Sequence, residues 1–196
     1  INLIDGTPAT GLATPYYIAG QDEVGGVSNT SIRRLSLIDN TASGRDGGTL
    51  AFADFIETMK LLPSALRTRR DRLLWLMDAD TELDAIDLAE IKNNDFRGVG
   101  STVGGILGLV LGVDTYGTGL MPLANTSGLV SGTPANNVTG TLAIAYAPYW
   151  AMAWKRHIDI EYDRDILSGS DVWVASMRVG FRSRGAHASA LSYNLT

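Results

Sequence analysis

His157-Ile-Asp-Ile-Glu-Tyr-Asp-Arg-Asp165 places Ile158, Ile160 and Tyr162 on one parity and Asp159, Glu161 and Asp163 on the other. A period of two is that of a β-strand, so this run is expected to bury one face and turn the other to water or a neighbour. Beyond Ser168-Gly-Ser-Asp171, the run Val172-Trp-Val-Ala-Ser-Met-Arg-Val-Gly-Phe181 is rich in β-branched and aromatic residues. Two long strands about a Gly-containing turn read as an antiparallel pair. From Tyr146 to Thr196 the chain lays down strand after strand with little that could do chemistry, which points to a protein whose work is contact.

Outward from this pair, helices appear. Leu50, Phe52, Phe55, Ile56 and Met59 recur at spacings near 3.6 and stop at Pro63, the pattern of an amphipathic helix. Leu73-Leu-Trp-Leu-Met77 reads as a compact apolar strand, after which Asp80 or Thr81 can cap a helix from Glu82 to Lys92 with Leu83, Ile86 and Ile91 inward. Asn93 to Gly100 is a turn-rich loop, and Ile106 to Val113 is expected to return to the sheet as a buried strand. The stretches Ile1 to Gly48 and Gly117 to Gly140 are rich in Gly, Thr and Asn. The first is read as loops and short strands, with apolar islands at Tyr16 to Ile18 and Leu35 to Ile38. Helices and strands mix without a βαβ rhythm or a long repeat, so the class is α+β.

The totals narrow the function. The 196 residues suffice for one good core or two small ones, and a net charge of −5 with scattered basic residues lacks the footprint of general nucleic-acid binding. Glycine is frequent at 22 residues and charged residues are sparse at 19%, consistent with a surface partly covered by self-association. The absence of cysteine removes disulfides, thiolate metal sites and cysteine nucleophiles. The longest apolar stretch, Ile106 to Val113, falls well short of the roughly 20 residues of a spanning helix, so no membrane partner is expected. The opening on Ile1 shows no signal peptide and reads as a chain whose upstream part has been removed.

Asp78 with Asp80, and Asp163 with Asp165, are spaced like carboxylates that hold a metal or share acid and base duties. Capping and a solvated strand face account for them better. His157 and His187, the only histidines, stand far apart in sequence and favour neither a metal site nor a triad. The loop Arg97 to Gly104 departs from a phosphate cradle in its third glycine and lacks a following Gly-Lys-Ser/Thr. The cluster Arg67-Thr-Arg-Arg-Asp-Arg72 is read as pairing with the acids of a neighbouring subunit at least as readily as with phosphate. Trp150 and Trp154, four apart, have the spacing of one helix face. No enzyme activity, cofactor or metal is expected.

Taken in order, these segments resemble the major capsid proteins of tailed bacteriophages with the Hong Kong 97 fold. The resemblance rests on Pro63 and the Arg-rich segment leading into Leu73-Leu-Trp-Leu-Met-Asp78, then Thr81-Glu-Leu-Asp84, Leu109-Val-Leu-Gly-Val113 and Ala143-Ile-Ala-Tyr-Ala-Pro-Tyr-Trp150. Lys155 to Glu161, Arg164-Asp165, Arg178-Val-Gly-Phe181 and Ala186 to Leu191 follow. It implies an axial domain of residues 23–142 plus 186–196, a peripheral domain of residues 143–185, and residues 1–22 as a remainder or linker. The family's N-terminal arm, extended loop and spine helix are expected before Ile1. The implied role is a structural subunit of pentamers and hexamers in a shell that encloses double-stranded DNA without reading its sequence. Portal, scaffolding or decoration proteins are further implied partners, and the virion, assembled in host cytoplasm, is the implied location.

The loop residues Asn93, Asn94, Asp95, Phe96 and Arg97 would approach the capsomer axis, and Arg156, Asp159, Glu161, Arg164 and Asp165 would make charged inter-subunit contacts. Ile166 stands where some family members carry a cross-linking asparagine, so cross-linking is not expected. Rival readings are an encapsulin-type nanocompartment shell, a carboxylate-dependent hydrolase using the aspartate pairs, and a β-rich binding module.

Overall fold

In the computed structural model, which describes residues 32–92, 108–119, 121–131, 133–165 and 170–196, the apolar run Leu73–Met77 is a strand near the middle of a mixed sheet. The strands among the described residues are β1 (Gly44–Gly48), β2 (Leu73–Met77), β3 (Leu109–Val110), β4 (Val113–Gly117), β5 (Gly140–Tyr146), β6 (Trp150–Asp165), β7 (Ser170–Ser183) and β8 (Ser189–Leu195). Six of them form the sheet in the order β1-β8-β5-β2-β4-β3, and β6 pairs only with β7 in a separate ribbon. β1–β8 and β2–β4 run parallel, while β2–β5, β3–β4 and β5–β8 run antiparallel. The helices are α1 (Ile32–Arg34), α2 (Phe52–Lys60), α3 (Ser64–Arg67), α4 (Ala79–Asp87) and α5 (Ala89–Lys92). This is the α+β architecture expected from the sequence.

Alternation builds two cores, one on each face of the sheet. Leu73, Trp75 and Met77 of β2 and Leu142, Ile144 and Tyr146 of β5 join Phe55 and Met59 of α2 and Ala85 of α4 in the larger cluster. Ala143 and Ala145 of β5, with Leu191 of β8, face the other way onto Ile32 and Met121. Every residue of β5 is buried, as a central strand covered on both faces requires. Trp75 is fully buried, meets Phe55 edge-on at 5.3 Å, and donates its indole N–H to the Val110 carbonyl at 3.2 Å. That bond gives its polar end the partner that a buried indole needs.

Asp78 joins three elements. Its side chain accepts from the Thr81 amide at 2.9 Å and the Thr81 hydroxyl at 2.8 Å, capping α4, and from the Thr141 amide of β5 at 2.8 Å. The cap is therefore Asp78 and not Asp80 or Thr81, because only Asp78 lies between the end of β2 and the first turn of the helix. Gly140 is required beside it, since a Cβ there would collide with the Thr81 hydroxyl.

Other expectations are corrected. The helix expected to reach Lys92 is interrupted at Leu88, whose backbone is extended, and resumes as α5. Leu83 points outward, 66% exposed, because Thr81 and Ala85 occupy the inward stripe. The island Leu35 to Ile38 lies in a π-helical turn continuing α1, not in a strand. The run Ile106 to Val113 is not one buried strand: its described part is a hairpin in which Val110 pairs with Val113 around Leu111-Gly112. Both turn residues have positive φ, 54° and 77°, as a two-residue turn matched to strand twist requires. The tryptophans at 150 and 154 belong to β6, so they share a strand face by the period of two and not a helix face. β5 continues to Tyr146 within the six-stranded sheet, and the separate ribbon begins with β6 at Trp150.

Candidate functional site

The β6–β7 ribbon is antiparallel along its length, from Trp150↔Ser183 to Asp165↔Ser170. β6 gains one residue on β7 between Trp154 and Arg156 and another between Arg156 and Asp159. A single bulge would exchange the faces of one strand relative to the other, whereas two cancel. Even-numbered positions of β6 therefore stand opposite odd-numbered positions of β7 at both ends, as in Met152↔Phe181 and Tyr162↔Trp173.

The consequence is an apolar face carrying Met152, Trp154, Ile160, Tyr162 and Trp173, with Ile158 exposed in the irregular stretch between its two ends. All are at least half exposed, with Ile158 and Trp173 each at 69%. The sequence expectation of one packed face is thus corrected: within this chain nothing described covers it. Tyr162 and Trp173 lie 4.8 Å apart, and the Tyr162 hydroxyl donates to Asp171 at 3.0 Å, which raises the phenol above its ordinary pKa. These contacts hold the aromatic end of the face in a fixed shape.

The opposite parity carries Asp159, half-buried, and Glu161, exposed, paired in register with Ser176 and Val174. Asp165 has the same parity, opposite Ser170. In the backbone register Arg164 stands opposite Asp171 and Arg156 opposite Arg178. Asn93, Asn94, Asp95, Phe96 and Arg97 lie outside the described residues, as do Arg97 to Gly104 and Ile166.

The acid–base candidates do not converge. Asp78 is buried and engaged as a cap, while Asp80 faces outward on the first turn of α4. His157 stacks on Trp154 with ring centroids 6.0 Å apart, and the Nδ1 of His187 lies 3.1 Å from the Asn40 amide nitrogen. Among the described residues no group of three or more His, Asp or Glu is placed to hold a metal ion. No described helix is long and apolar enough to cross a membrane.

A second surface was visible in the sequence only as a basic cluster. Ile56, Met59 and Leu111 floor a groove of about 600 Å³, and Lys60, Arg67 and Arg70 rim it. Arg70 donates to the Leu111 carbonyl at 2.8 Å, fixing the β3–β4 turn against the Arg-rich segment. Arg67 carries a buried Nε with no hydrogen-bond partner among the described residues.

Solved structures of phage capsids are similar to this fold. "Mycobacterium phage Che8" matches with a TM-score of 0.57 at 12% identity, covering 81% of this chain and 55% of that one. The mature capsid of bacteriophage PhiM1 matches at 0.51 and 16%, covering 78% and 51%, and the procapsid of satellite phage P4 at 0.55 and 8%, covering 86% and 51%. The fold is the phage capsid fold. At such identities the likeness is one of fold, and the capsid fold here spans only about half the length of the solved chains it matches. No family model and no curated protein matches the sequence.

Proposed function

We propose that this chain is a structural subunit of a capsid shell, assembling with its own copies into pentamers and hexamers that enclose double-stranded DNA. The observation that carries the reading is the coincidence of the phage capsid fold with a ribbon whose large apolar side chains stand in water. Exposed patches of that kind belong to contact surfaces, and many modest contacts between identical subunits sum to a closed shell. In the shell the face of Met152, Trp154, Ile160, Tyr162 and Trp173 is buried.

On this reading the six-stranded sheet with α2 and α4 is the core of the axial unit, and the ribbon that leaves it after Tyr146 builds the peripheral unit. Asn93 to Arg97 approach the capsomer axis, and Asp159, Glu161 and Asp165 meet basic groups of neighbours. DNA is enclosed and not gripped, in keeping with a net charge of −5. The virion is the location, with portal, scaffolding or decoration proteins as further partners.

The test is negative-stain electron microscopy of the protein expressed from its complete gene, size-fractionated, with nucleic acid and protein assayed in each fraction. Closed shells, or rings of five and six, support the reading. Protein cargo in place of nucleic acid redirects it to a nanocompartment. A monodisperse small species under all assembly conditions overturns it.

A further inference from the structure

The basic groove has a counterpart on another patch of the same chain. Helix α4 turns Leu83 outward, 66% exposed. On that stripe Asp80 precedes Leu83 by three residues and Asp87 follows by four, with Asp84 beside it, so an apolar knob stands inside a ring of carboxylates. The groove has the inverse pattern, an apolar floor of Ile56, Met59 and Leu111 inside a rim of Lys60, Arg67 and Arg70. Leu83 does not line that groove in its own chain.

We propose that Leu83 of one copy seats in the α2–α3 groove of a second copy, with the α4 carboxylates meeting Lys60, Arg67 and Arg70. Apolar contact and charge are complementary at the same place, which fixes register as well as attraction. Because knob and groove are different patches, the contact is heterologous: each copy uses its knob on one neighbour and its groove on the other, and the shell reading requires that this chain of contacts close into a ring. The proposal rests on the shell reading and deepens it, assigning the surfaces that join successive subunits within a ring.

These 196 residues contain no cysteine, and any cysteine elsewhere in the complete protein is replaced by serine so that the introduced thiols are the only ones present. Leu83→Cys and Ile56→Cys are prepared separately in the complete protein, mixed during assembly, and treated with a short bismaleimide. The expected result is a covalent dimer that forms from the mixture and from neither variant alone. Particles without that dimer overturn the proposed contact and leave the shell reading standing. A dimer without particles upholds the contact and overturns the shell, and neither product overturns both.

As a second measurement, Lys60→Glu and Asp84→Lys each lower particle yield about tenfold, and the two together in one chain restore it to within about threefold. Unchanged yield in the single variants, or no recovery in the double variant while thermal unfolding stays normal, counts against the pairing.

Discussion

Arg45 Nη1 lies 2.6 Å from Asp54 Oδ1, and the other oxygen of that carboxylate accepts from the Ala51 amide at 2.8 Å. One buried acid thereby ties β1, whose Arg45 is partly exposed, to the first turn of α2. Ala51 occupies the N-cap position and has no side chain for capping, so Asp54 supplies the reciprocal half of a capping arrangement alone. Replacing Asp54 by Ala removes the ion pair and leaves the Ala51 amide unpaired. The expected loss is about 2 to 3 kcal/mol in denaturant unfolding. A change within a few tenths of that of a surface substitution would refute the role.

Asp78 is the more demanding junction. Asp78→Ala strips the cap of α4 and leaves the buried Thr141 amide without an acceptor, which together cost about 3 kcal/mol. Gly140→Ala acts on the same place by collision with Thr81 and is expected to cost at least about 2 kcal/mol. Since the two changes share a partner, the double variant should lose less than the sum, which urea denaturation can measure.

Trp75→Phe keeps most of the apolar volume but removes the indole hydrogen bond to the Val110 carbonyl and opens a small void. About 2 kcal/mol of destabilisation is expected, against 3 to 5 for Trp75→Ala. A Phe variant as unstable as the Ala variant would show that the hydrogen bond, and not volume, is what the site depends on.

Ile160→Lys changes a side chain that is 62% exposed in the single chain. Thermal unfolding of the six-stranded sheet is expected to be unaffected, within about 0.5 kcal/mol, while particle formation is lost. Trp173 fluorescence, isolated by replacing the other tryptophans, should shift to shorter wavelength on assembly; an unchanged spectrum in assembled particles would mean the ribbon face stays wet.

Glu57 and Lys60 are 2.6 Å apart on α2, and the hydrogen bond from Lys60 holds the Glu57 carboxyl below its ordinary pKa. A carboxyl depressed in the folded state contributes stability that is present above its unfolded pKa and lost as pH falls through its folded pKa. NMR titration should therefore place the Glu57 midpoint below the ordinary glutamate value, and Lys60→Ala should move it up. No movement would show that the contact does not persist in solution.

Much of this molecule is written in local patterns. The 3.6 spacing that ends at Pro63 became α2, the apolar pentapeptide Leu73–Met77 became β2, and the alternation at His157 to Asp165 became half of a ribbon with its partner as expected. Each depends on neighbours within a few residues, so the sequence carries it directly. The order of these segments also carried the resemblance to capsid proteins, which the structure bears out as fold. Leu83 was misread because helical periodicity alone places it inward, whereas α4 meets the sheet through Thr81 and Ala85.

The tertiary structure decided what depends on distant partners. Asp78 is a junction because Thr141, 63 residues away, brings its amide to the carboxylate. Gly44 pairs with Leu191 in a parallel contact that no local pattern announces. The same holds for the ribbon: its alternation fixed which residues share a face, but whether that face is covered depends on what packs against it. Periodicity is set by backbone geometry within one segment, and burial by surfaces brought together from across the chain or from beyond it.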